Sequence, residues 1–162
     1  MFRSRAVFAA LLSLVFASVP FADDEVPAQA NMMYGDGSNP VCLFAEGPEI
    51  NTIWHGLVDL SEFPGNSTRT AMVLLSSSTW GDSPLDTPFG QLLVDPRQEI
   101  YLLSKDLIAP GKALFSIPVP PKPALIGQSF YVQAMVEGMG TMRFCNAIEL
   151  IIGGELDDDD DD

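Results

Sequence analysis

From Val41 onward, short runs of apolar residues alternate with turn-forming residues, and no window of a dozen residues carries a helical stripe. Eight strands are predicted, over 41–46, 50–60, 70–78, 89–94, 99–104, 113–119, 129–137 and 142–152. Gly47-Pro48, Pro64-Gly65-Asn66, Gly81-Asp82-Ser83-Pro84, Asp95-Pro96, Pro110-Gly111, Pro120-Pro121 and Gly138 separate them. Alternation is clearest in Phe130–Glu137. There Phe130, Val132, Ala134 and Val136 form one face, while Tyr131, Gln133, Met135 and Glu137 are expected toward solvent. In the last segment Ile148, Leu150 and Ile152 share a face opposite Glu149. In 50–60, Ile50, Trp54, Val58 and Leu60 oppose His55 and Asp59. Strand and turn signals at this spacing predict an all-β fold, an antiparallel β-sandwich of about eight strands, Ig-like or jelly-roll-like. The 13 prolines also oppose long helices.

The first residues follow another pattern. Arg3 and Arg5 precede the apolar run Ala6–Val19, and Pro20, Phe21 and Ala22 lead into Asp23-Asp24-Glu25. A basic start, an apolar stretch and a small residue at the exit are the layout of a secretory signal peptide over 1–22. The run of about 14 residues falls short of the ~20 that a membrane span needs. Cleavage is expected after Ala22, with Ala30 as the fallback, and the mature chain is expected to be soluble, extracellular or periplasmic, with no membrane insertion. Residues 23–39 read as a flexible leader, 40–153 as the β-sandwich domain, and 154–162 as a disordered acidic tail. The 140 residues after Ala22 suffice for one domain with a core.

The chain has two cysteines, Cys42 and Cys145, with no C-x-x-C spacing. Export makes a disulfide between them the expectation, closing almost the whole domain into one loop. By alternation each shares a face with an acid, Glu46 and Glu149, which places the bridge near the outer surface.

Charge narrows the partners. Without Arg3 and Arg5, 22 acids face six bases, a net charge of −16. Such a surface repels phosphate backbones and anionic lipids, which argues against nucleic acid, and leaves an extracellular protein or a polysaccharide as the partner classes. The run Asp157, Asp158, Asp159, Asp160, Asp161 and Asp162 could capture calcium weakly, because a flexible tail lacks a fixed oxygen cage. As a solvated solubility tail it needs no ligand. No other metal or cofactor is expected.

Three fragments carry a resemblance: Leu92-Leu93-Val94-Asp95-Pro96, Ile126–Ala134 ending in Tyr131-Val132-Gln133-Ala134, and Asn146–Gly153. In this order they resemble a β-sandwich domain of unassigned function in secreted proteins of planctomycete-type bacteria, with the patterns G-x-L-L-V-D-P, L-x-G-x-x-x-Y-x-Q-A and S-N-A-L-x-L-x-I-G. The resemblance spans about residues 65–153. This chain departs from it in placing Cys145 before Asn146 and in the Asp tail. It implies fold and export, and no catalytic residue.

Candidate chemistry is sparse. His55 is the single histidine, whereas most hydrolytic and metal-dependent schemes need one with a partner. Gly81-Asp82-Ser83-Pro84-Leu85 resembles the nucleophile block of GDSL-type esterases, but no histidine follows position 55, and a type I turn explains the same residues. Asp59 with Glu62 is the nearest approach to a glycosidase dyad. Asn66-Ser67-Thr68 fits an N-glycosylation acceptor. Trp54, Trp80, Tyr101 and Tyr131 could form a sugar-stacking platform. The favoured expectation is a non-catalytic secreted structural or interaction module, followed by a carbohydrate-binding module and then a hydrolase.

Overall fold

Twelve strands and one 3-10 turn carry the period-two pattern in the computed structural model, which describes residues 25–63, 67–81, 84–98, 100–108 and 110–155. The strands are β1 (Glu25–Val26), β2 (Gln29–Met33), β3 (Leu43–Ala45), β4 (Ile53–Asp59), β5 (Thr68–Ser76) and β6 (Leu85–Thr87). They continue with β7 (Gly90–Leu92), β8 (Ile100–Ile108), β9 (Lys112–Pro118), β10 (Ser129–Gly138), β11 (Thr141–Ile151) and β12 (Gly154–Glu155). The fold is all-β, and every paired strand runs antiparallel to its neighbour. Each of the eight predicted segments coincides with one of β3, β4, β5, β7, β8, β9, β10 and β11.

A five-stranded sheet in the order β2-β11-β10-β5-β8 faces a three-stranded sheet in the order β3-β4-β9. Alternation makes the sandwich. Leu43, Trp54, Val58, Ala113 and Phe115 on the small sheet meet Ala71, Val73, Val132, Ala134, Val136, Ile148 and Leu150 on the large one. Burying each such aliphatic or aromatic side chain contributes about 1.5–3 kcal/mol. The chain passes between sheets from β4 to β5 and back from β8 to β9. Those two edge strands lie side by side without pairing, so the sandwich stays open along them.

The second β-layer edge comes from the stretch read as a leader. β2 pairs with β11 from Gln29↔Ile151 to Met33↔Ala147, and Ala30 packs on the core. Asn and Met in place of β-branched residues hide this strand from a propensity reading. β10 and β11 join through Met139-Gly140, whose φ values of 54° and 73° mark a two-residue hairpin loop that suits glycine at its second position.

Two sequence expectations are corrected. The Cys42–Cys145 disulfide forms, with a Cα–Cα distance of 5.7 Å, but both cysteines are 0 % exposed and belong to the core rather than the outer surface. The cause is a β-bulge. Gln133 opposes Ala147 while Met135 opposes Phe144, so β11 inserts one extra residue at Cys145-Asn146. That residue flips Cys145 onto the face of Ile148 and Leu150. Cys42 precedes β3 and escapes its alternation altogether.

The second correction concerns Gln133, expected toward solvent and found 0 % exposed. Residues 85–95 fold back over the outer face of the large sheet. Leu92, Leu93 and Val94 build a smaller apolar cluster there with Phe144 and Ala147, flanked by Met135 and Tyr131. The segments 1–22 and 157–162 lie outside the described residues.

Candidate functional site

The small sheet keeps one apolar face in the core and shows the other, which carries an apolar row among polar ones, to solvent. On the outer face Phe44 stands opposite Leu57, and Leu57 opposite Leu114, giving one row across all three strands. His55 pairs with Ser116 in the next row, and Ile53 with Pro118 beyond it. Phe44, Leu114 and Ile53 are 42 %, 48 % and 59 % exposed. These side chains border a shallow hollow of about 560 Å³, with the exposed carboxylates Glu46 and Glu49 on its rim. At the far end of the sheet Asp59 receives the Ser61 hydroxyl and amide, and Lys112 lies 3.1 Å away. The Ser61 hydrogen bonds, and after them Lys112, hold the Asp59 carboxyl below the usual carboxylate range.

His55 lies in this face with Nδ1 3.0 Å from Ser116 Oγ. A histidine within reach of a hydroxyl is the start of a nucleophile–base pair, which further needs a group to orient the imidazole. The other ring nitrogen has no hydrogen-bonding partner among the described residues. Asp59 and Glu62 do not come together as a dyad: Asp59 is engaged by Ser61 and Lys112, and Glu62 is exposed. No three His, Cys, Asp or Glu residues gather as a metal set among the described residues. The Asp157–Asp162 run, Asp82-Ser83 and Asn66 fall outside them.

The aromatic residues proposed for sugar stacking are dispersed. Trp54 is 5 % exposed, points into the sandwich and donates its indole N–H to the Glu46 carbonyl at 3.0 Å. Trp80 lies against the Arg97 guanidinium, 4.6 Å from ring centre. Tyr131, on the outer face of the large sheet, donates to Glu149 at 3.2 Å, and burial together with the Glu149 charge pushes its phenol up. The Tyr101 side chain lies outside the described residues. Among the described residues the exposed aromatics are instead Tyr34, Phe44 and Phe89, and Phe44 alone belongs to the outer face of the small sheet.

What sequence reasoning missed is a set of buried amides. Gln133 accepts the Leu93 N–H at 2.8 Å and donates to the carbonyls of Gln91 and Cys145 at 2.8 and 2.9 Å. Asn146 accepts from Cys42 and Leu43 N–H and donates to the Leu43 carbonyl. Asn39 donates to Gln91 and Cys145 carbonyls and accepts the Gln91 N–H. These are irregular backbone groups that no strand satisfies, and a buried amide unpaired in such a place costs about 1–3 kcal/mol. The three sequence fragments Leu92–Pro96, Ile126–Ala134 and Asn146–Gly153 therefore converge in space, and their polar members are joints. Asp95, 4 % exposed, is the third: it accepts the Arg97 amide, Nε and Nη2 between 2.9 and 3.0 Å.

Arg97 holds the Asp95 carboxyl below its ordinary range, first by side-chain and then by backbone hydrogen bonds; Ser38 does the same for Asp36. A carboxyl depressed by folding adds stability above its unfolded value of ~3.9, and that stability is lost as pH falls through the lower folded value. The urea midpoint is therefore expected to decline from about pH 5 downward. Asp95→Asn should lower the midpoint at neutral pH and make that decline shallower. An unchanged slope in the variant would show that Asp95 is not among the groups responsible.

Among the described residues no helix is long and apolar enough to cross a membrane. No protein-family model and no curated protein matches the sequence.

Proposed function

We propose that the chain is an exported, non-catalytic interaction module that holds a partner protein on the outer face of its small sheet. The observation that carries this reading is the exposed row Phe44–Leu57–Leu114, with Ile53 and Pro118 beyond the intervening His55–Ser116 row, apolar side chains left open on a strongly acidic domain. Monomers seldom keep contiguous apolar surface without a use for it. Glu46 and Glu49 on the rim favour a partner segment that presents aliphatic or aromatic side chains flanked by Lys or Arg. The net charge of −14 opposes stacking of two copies through this face. Export is supported by the signal-peptide layout of residues 1–22 and by the Cys42–Cys145 bridge, which belongs to oxidising compartments.

Panning a random displayed-peptide library on the immobilised domain tests the reading. The expected winners combine apolar side chains with Lys or Arg, and lose binding at least tenfold to the variant F44D/L114D. Both positions are exposed, so the variant should keep the wild-type circular dichroism and urea midpoint to within about 0.5 kcal/mol. Association should also slow as salt rises. Peptides that bind wild type and F44D/L114D equally would overturn the assignment of this face.

A further inference from the structure

Where β8 and β9 lie side by side unpaired, a cleft of about 480 Å³ leads between the sheets. It is lined by Trp54, Leu75, Leu103, Ile117, Phe130 and Leu150, one side chain from each of six strands. Lys105, farther along β8, spans the same gap: its ammonium donates to the Leu114 carbonyl and lies 5.5 Å from the centre of the Phe115 ring. A charged side chain aimed inward from an edge strand blocks further strand addition at that point. The cleft beside it remains open to small molecules rather than to another strand.

Its electrostatics run against those of the whole domain. The chain has 22 acids, yet none of those among the described residues lines this cleft. The one charged residue there is Lys122 at the mouth, exposed, with no carboxylate paired to its ammonium among the described residues. An apolar bed with a single cation at its entrance matches an amphiphile with an alkyl tail and one anionic head. The volume falls within the ~300–1,000 Å³ of small-molecule sites. At roughly 30 Å³ for a water-sized group, it holds about a dozen methylenes and a head group.

We propose that this cleft binds a monomeric alkyl carboxylate, its chain between the sheets and its carboxylate on Lys122. The cleft opens on the inner side of the small sheet, away from the Phe44–Leu57–Leu114 row, and shares only Pro48 and Trp54 with the lining of the outer hollow.

Trp54 lines the cleft and Trp80 stands elsewhere, so a W80F variant carries its only tryptophan at the site. Titration of W80F with sodium octanoate, decanoate and dodecanoate, each below its micelle concentration, should change Trp54 emission saturably at one ligand per chain. Affinity should rise about three- to fourfold for each added methylene until the cleft is full. Adding K122Q should weaken dodecanoate a few-fold and leave dodecanol unchanged, as expected for an exposed charge pair. F44D/L114D should bind dodecanoate like wild type, so loss of partner binding and loss of this site are separate results. An affinity independent of chain length, or insensitive to K122Q, would overturn the proposal. So would capture by vesicles of mixed neutral and anionic phospholipid with no response to the monomeric carboxylates, which would assign the cleft to a membrane surface.

Discussion

The C42A/C145A variant is expected to lose about 4–5 kcal/mol of unfolding free energy. The bridge links residues 103 positions apart. In the chain-entropy description, closing a loop of ~100 residues removes that much disorder from the unfolded chain. A further contribution comes from the native side. Both sulfurs are fully buried, Cys42 at the entrance to the small sheet and Cys145 in the bulge of β11, so the bridge ties the two layers through the core. Truncation leaves a small cavity between them. Single domains are stable by about 5–15 kcal/mol, so the variant should sit near the edge of folding. Its melting temperature should drop by roughly 10–20 °C. Replacement by serine should be worse than by alanine, because it buries hydroxyls without partners at about 1–3 kcal/mol each. Urea unfolding of the three proteins decides the matter. A loss below about 1 kcal/mol for C42A/C145A would mean that the unfolded chain is already held compact by other contacts.

How far the chain could be read without coordinates depends on the range of the interactions involved. The strands that bury one face announced themselves: Trp54, Val58 and Leu60 recur with period two, as do Ile148, Leu150 and Ile152, and all six are inside. Local punctuation by Gly and Pro then separated them. Three features escaped because their causes are not local. The bulge at Cys145-Asn146 adds one residue, and a one-residue slip exchanges faces, so a correct pairing of cysteines was put on the wrong side. Gln133 is covered by residues some forty positions earlier, which no count along β10 can reveal. The apolar outer row was equally ambiguous. Ile53 and Leu57 alternate with Trp54 and Val58, and sequence alone does not say which apolar face of β4 meets the large sheet. The candidate partner face and the inter-sheet cleft both depend on that assignment. Neither was legible, whereas the all-β antiparallel fold was.

Asn146 should show that the joints matter as much as the strands. Its side chain makes three hydrogen bonds of 2.9–3.0 Å to Cys42 and Leu43, the residues that lead into the small sheet. It is 0 % exposed, so Asn146→Ala leaves two N–H groups and one carbonyl buried without partners. At about 1–3 kcal/mol for each group, less what an entering water recovers, the expected cost is roughly 3–6 kcal/mol. Asn31, which bonds Glu149 on the exposed edge of the large sheet, supplies the contrast: Asn31→Ala should change stability by less than about 0.5 kcal/mol. Hydrogen exchange should report the same joint, with Cys42 and Leu43 amides losing protection first in N146A. Asn146 is the neighbour of Cys145 and grips the neighbour of Cys42, so amide and disulfide hold one connection twice. Their effects should accordingly be non-additive, with N146A costing about 1–2 kcal/mol less in the C42A/C145A background than in the bridged protein. Strict additivity would place the two devices in independent parts of the fold. Coupling would identify the segment before β3, rather than any strand pair, as the hinge on which the small sheet and its outer face are set.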